Sequence, residues 1–206
     1  MLLRDLVFVD VDTQIDFMLP HGNLYVPGAE QIIPNLERVM TFAREHRAPV
    51  VSSVDAHSSD DIEFQQFPPH CVKGTMGQEK IPQALLPQQK VLPNELKEFP
   101  EGDQFSGFQQ WILEKQTFDL FDNVNAAPLF GRLAAAQYIV FGVATEYCVK
   151  AAVLGLLRLG RPVWLLVDTV RPIDAARGLG ALREMQEAGA KLLTVPEISA
   201  MAMAAA

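Results

Sequence analysis

The sequence predicts an α/β fold: an open, mostly parallel six-stranded sheet with helices on both faces. Three observations predict it. Short apolar, β-branched runs recur along the chain, they alternate with segments of helical period, and each run is apolar nearly throughout, as suits strands covered on both sides. The runs fall at residues 6–11, 49–54, 111–114 (the weakest), 138–143, 163–167 and 191–195. Between the first two, Ile32, Ile33, Leu36, Val39, Met40 and Ala43 repeat at helical spacing. Val149, Ala152, Val153, Leu156 and Leu157 do so after the fourth run, and Leu179, Leu182, Met185 and Ala188 after the fifth. Gly160 and Gly189 stand where those two helices should stop. The stretch 55–110 is rich in Pro, Gln and Gly and lacks a strong period, so it reads as long functional loops or a lid within one domain spanning 1–206. The Ala/Met-biased end from Ala200 onward is expected to fray.

Bulk properties narrow the function. The 206 residues are 49% hydrophobic and 20% charged, an ordinary globular balance able to bury a sizeable core. A net charge of −8 offers no basic stripe for nucleic acid or an anionic membrane. No apolar run approaches a membrane span, and the first residues have neither the length nor the flanks of a signal peptide. Cys71 and Cys148 are the only cysteines and lie far apart, which suits free thiols in the reducing cytoplasm.

In open parallel sheets ligands collect beyond the carboxyl ends of the strands. The residues there are Asp10 and Asp12, Asp55 and His57, Lys115, Ala144 to Cys148, and Asp168. Cys148 should open a helix, where the dipole and free N–H groups would lower its pKa and could hold an oxyanion; the plain alternative is an inert buried thiol. Asp12 could equally be a turn carboxylate and Lys115 a solvated lysine. A lysine beside a carboxylate and a thiol, however, keeps both ionisable. Asp55 and His57, two apart on an extended segment, point the same way, and His70 can close a metal site from the next loop. The chain has four histidines (His21, His46, His57 and His70), and two of them fall in this loop.

Asp12-Thr13-Gln14-Ile15-Asp16-Phe17 resembles the D-x-Q-x-D-F opening of the nicotinamidase and isochorismatase-like cysteine hydrolases. Gly142-Val143-Ala144-Thr145-Glu146-Tyr147-Cys148-Val149 is similar to that superfamily's nucleophile segment, and Pro68-Pro69-His70-Cys71-Val72-Lys73-Gly74-Thr75 to the H-C-V-x-x-T stretch of nicotinamidases. The resemblance implies the isochorismatase-like three-layer fold and hydrolysis of nicotinamide, with another small amide or carbamoyl compound as the alternative. It implies Asp12, Lys115 and Cys148 as catalytic residues, with Lys97 competing for the lysine's place. It implies a cis peptide at Val143-Ala144, an oxyanion hole from the backbone of Ala144 and Cys148, and substrate contacts from Phe17, Phe67 and Tyr147. Asp55, His57 and His70 would bind a divalent metal, zinc or else iron or manganese, and the chain would form a homo-oligomer. The threonine expected after the lysine is lost and Ala56 is small where a bulky residue is common, which points to an altered pocket.

Two other readings use some of the same residues. Asp10-Val11-Asp12 is similar to the D-x-D opening of dehalogenase-type phosphatases, but Gln14 breaks that pattern and Cys148 is left unexplained. A receiver-like module could use Asp12, Asp55 and Lys115 around magnesium, but needs neither His70 nor a thiol. Gly178-Leu179-Gly180 lies in a helical pattern and is a poor nucleotide signature.

Overall fold

The computed structural model describes residues 6–94, 105, 107–135 and 137–203. Among these residues seven strands form one parallel sheet: β1 (Leu6–Val11), β2 (Val50–Asp55), β3 (Gln89–Leu92), β4 (Gln110–Lys115), β5 (Gln137–Val143), β6 (Val163–Arg171) and β7 (Lys191–Leu193), in the order β3-β4-β2-β1-β5-β6-β7. The α/β reading holds, and the strand count is corrected from six to seven. The added strand, β3, lies at the sheet edge, where only Leu92 of Gln89-Lys90-Val91-Leu92 is buried. A strand wetted on one side carries no continuous apolar run, so its pattern stays below notice.

The central strands are buried on both faces because their alternation feeds two cores. Leu6 and Phe8 pack on one side with Leu36, Val39 and Met40, while Val7, Val9 and Val11 pack on the other with Leu129, Phe130 and Val153. The layers are built from α1 (Ile15–Met18), α2 (Ile33–Glu45), α3 (Ala126–Arg132), α4 (Lys150–Arg158), α5 (Ala175–Glu187) and α6 (Val195–Met203). Gly160 takes φ +68° just beyond α4, the stop its position predicts. At the end of the chain α6 continues to Met203, and Ala204, Ala205 and Ala206 lie outside the described residues. Among the described residues no helix is long and apolar enough to cross a membrane.

The described part of 55–110 is short 3₁₀ turns and one strand, strapped to the end of β1. Ile15 N–H donates to the Glu79 carbonyl at 2.8 Å, Ile81 N–H to the Thr13 carbonyl at 2.9 Å, and His57 bridges Val72. This strap brings the second half of the site to the carboxyl rim.

Candidate active site

Parallel register levels the strand ends: Val11 pairs with both Ser53 and Gly142, and Asp55 with Lys115. Asp12 follows β1 with φ +48°, a conformation costly for any residue but glycine, which takes it out of the strand's alternation. Ser53 Oγ donates to its Oδ1 at 2.7 Å, and Lys115 Nζ lies 2.8 Å from its Oδ2. Lys115, fully buried, also hydrogen-bonds Asp55 Oδ1 and donates to Cys148 Sγ at 3.5 Å. One ammonium therefore joins two carboxylates and a thiol. Lys97, its competitor, lies outside the described residues.

Burial pulls the Lys115 ammonium down, but Asp12, Asp55 and Cys148 together lift it well above the usual lysine range. Burial raises Asp12, more than Lys115 lowers it. Burial also pushes Asp55 up, but Lys115 and both imidazoles overcome that and leave its carboxyl well below the usual range. The Cys148 thiol contradicts its expectation. Burial pushes it well above the usual thiol range; Lys115 pulls it back, while Asp12 and Asp55 push further. Helix-dipole reasoning misses this because it takes account of neither desolvation nor two nearby carboxylates.

Cys148 lies within one π-helical turn, Thr145–Val149, that precedes α4, rather than at that helix's first residue. Gly142 near the end of β5 has φ +120°, and a Cβ there would lie 2.0 Å from the Val11 carbonyl oxygen, so the close approach of β5 to its parallel neighbour β1 needs glycine. Val143-Ala144 is the cis peptide that the resemblance implied. Ala144 O then accepts from Tyr147 N–H at 3.1 Å and Val149 N–H at 3.2 Å, which folds the turn around the sulfur.

Beside Lys115, Asp55, His57 and His70 offer ligand atoms that all lie within 4.8 Å of one another, and all three residues are buried. His57 Nδ1 is held by Asp61 Oδ2 at 3.0 Å and His70 Nδ1 by the Pro68 carbonyl at 2.9 Å, which turns both Nε2 atoms inward. His57 Nε2 is buried with no hydrogen-bond partner. Burial opposes protonation of His57, but Asp55 and Asp61 raise its pKa to about 9. Glu63, not singled out from the sequence, brings Oε2 to 4.0 Å from His57 Nε2 and Oε1 to 3.8 Å from His70 Nε2. Three carboxylates crowd two imidazoles, and a mixed nitrogen and oxygen donor set of this kind fits a zinc-like divalent ion.

A narrow pocket with about 30 Å³ of free space is lined by residues of both clusters. Phe17, Phe67 and Tyr147 line it, with Asp12, Asp55, His70, Ala144 and Cys148. Phe118 and Ile173 line it unforeseen. Phe118, 39% exposed, lies 5.2 Å from Tyr147 and 6.2 Å from Phe67 between ring centroids, so three aromatics close the mouth. Nothing in the spacing of Phe118 sets it apart from a surface aromatic.

Two rim residues stay out of the site. β6 continues to Arg171 past an irregularity in its pairing with β5, so Asp168 lies inside a strand and accepts from Asn35 and from Val195 N–H. Asp10 is engaged by Thr13, Ser52 and Lys80.

The sequence pattern of the isochorismatase domain matches residues 6–197. A nicotinamidase of Saccharomyces cerevisiae is 28% identical over 198 residues, covering 80% of this chain and 87% of its own. A nicotinamidase of Escherichia coli is 28% identical over 212 residues, covering 91% and 93%. Among solved structures, the pyrazinamidase of Pyrococcus horikoshii in complex with zinc superposes with a TM-score of 0.75 at 28% identity, over 92% of this chain and 99% of the other.

Proposed function

The chain belongs to the isochorismatase family and is a hydrolase of C–N bonds, and from that premise we propose that it converts nicotinamide to nicotinate and ammonia through a thioester on Cys148. One observation carries the reading: Lys115 Nζ meets Asp12, Asp55 and Cys148 Sγ together beside an aromatic-lined pocket. The two nicotinamidases and the zinc-bound pyrazinamidase support it.

The raised thiol implies that Cys148 rests protonated, and burial makes Asp12 a stronger base than a free carboxylate. Asp12 takes the thiol proton as sulfur attacks the amide carbon. The N–H groups of Ala144 and Cys148 hold the oxyanion, each donor contributing about 3 kcal/mol. Asp12 returns the proton to the departing nitrogen, ammonia leaves, and a thioester remains. Asp12 then takes a proton from water, hydroxide adds to the thioester carbonyl, and the thiolate leaves and regains the proton as nicotinate departs. Lys115 holds Asp55 ionised and favours the ionised form of Asp12 at the moments when it must accept a proton. Phe17, Phe67 and Tyr147 flank the ring, and Asp55, His57 and His70, with Glu63 beside them, would hold zinc or another divalent ion. When bound, that ion would supply a Lewis-acid anchor for the pyridine nitrogen. A cytoplasmic homo-oligomer is the proposed setting.

The test is ammonia release across a small panel of amides, nicotinamide first and carbamoyl compounds included, with and without a chelator. Turnover of nicotinamide, restored by zinc after chelation, is expected. Turnover of carbamoyl compounds alone would replace the substrate, and full activity in Cys148→Ala would end the mechanism.

A further inference from the structure

The segment that follows Asp12 carries two buried side chains that the chemistry above leaves unused, Gln14 and Asp16. Gln14 Oε1 accepts from the Asp55 N–H at 2.7 Å, while its Nε2 donates to the Asp55 carbonyl and to the Gln78 carbonyl, each at 2.8 Å. The amide thus grips both backbone groups of a metal-ligand candidate at the very end of its strand, and ties them to the strap. Asp16 Oδ2 accepts from the Cys71 N–H at 2.7 Å, and Oδ1 from the Asn23 N–H at 2.9 Å. Cys71 adjoins His70, has φ +45°, and offers its carbonyl to the His57 N–H at 3.2 Å. A Cβ on Gly77 would lie 2.1 Å from Asp16 Oδ2, so the strap closes on this carboxylate with no room to spare.

We propose that Gln14 and Asp16 are positioning residues for the metal centre: Gln14 sets Asp55, and Asp16, by holding the Cys71 N–H, fixes the peptide that joins His70 to Cys71 and the Cys71 carbonyl that receives the His57 N–H. The five residues from Asp12 to Asp16 then place the base and the metal ligands as one unit. The gripped backbone groups of Asp55 and Cys71 are buried, so losing their partner leaves them unsatisfied and drives a local shift. Ligand atoms tolerate only tenths of an ångström of such shift. The inference rests on reading Asp55, His57 and His70 as metal ligands.

The test measures zinc and cobalt(II) affinity by competition with a chromophoric chelator, without substrate. Gln14→Met and Asp16→Asn, which nearly keep side-chain volume, are expected to bind either ion about 10- to 100-fold more weakly and to alter the visible cobalt spectrum. Gln137→Ala is the control, since it loses a bond to the Pro162 carbonyl at the opposite end of the sheet and should bind as the parent chain does. A variant that folds only with metal is read instead by how its melting temperature rises with zinc concentration. Affinities within about twofold of the parent, with the cobalt spectrum unchanged, would overturn the proposal. A parent chain that binds neither ion would overturn the metal reading itself.

Discussion

Asp10 and Asp12 stand two residues apart, and each meets a buried lysine, yet their surroundings differ in kind. Lys80 Nζ lies 2.9 Å from Asp10 Oδ2, Ser52 Oγ donates to the same oxygen at 2.9 Å, and Thr13 Oγ1 donates to Oδ1 at 2.9 Å. Ser52 accepts in turn from Gln110 Nε2, which also donates to the Ala84 carbonyl, while Gln110 Oε1 takes the Leu86 N–H. Every arm of that network ends on backbone or on the ion pair, so it fastens the strap to the sheet. The Asp12–Lys115 pair instead borders a thiol, a second carboxylate and a pocket. A buried ion pair is therefore no sign of a site by itself. What separates the two is a reactive neighbour and somewhere for a ligand to go.

Substitutions can break this contrast, and the largest effect should come from the sulfur. Cys148→Ala is expected to lower the rate of ammonia release by at least about 10⁴-fold, with nicotinamide binding retained in calorimetry. Asp12→Asn keeps the shape but cannot accept the proton, and should lower kcat about 10²- to 10⁴-fold. On the other side, Lys80→Met strands the Asp10 charge and should cost about 3–5 kcal/mol in urea unfolding, the range for breaking a buried pair. Activity per folded molecule should stay within about threefold of the parent. A collapse of kcat in folded Lys80→Met would mean that the two pairs are one functional unit.

The sequence separated these regions only in part. Strand-end logic and motif spacing pointed to Asp12, Asp55, His57, His70, Lys115 and Cys148, and the fold brings all six together, because parallel register levels successive strand ends. Lys80 carried no signal, since an isolated lysine in an irregular stretch looks solvated until its burial is known. Glu63 and Phe118 escaped for the same reason: both sit in 3₁₀ turns or loops whose path no period reports. β3 was lost to edge exposure. The sign of the thiol's shift failed because it depends on how many charges share the buried space, which spacing along a chain does not encode.

The finest test uses two adjacent serines on β2, which point to opposite faces and serve the two aspartates separately. Ser52→Ala removes one of three groups on Asp10 and should cost about 1 kcal/mol of stability with kcat/KM unchanged. Ser53→Ala removes a hydrogen bond that lowers the Asp12 pKa, so that pKa rises further. The base must be ionised to take the thiol proton, so the acidic limb of the kcat/KM profile should move to higher pH. Activity below that limb should fall by up to about tenfold, while the plateau above it is spared. If Ser52→Ala moved that limb as well, the two networks would share a titration, and the separation between strap anchor and catalytic pair would be only geometric.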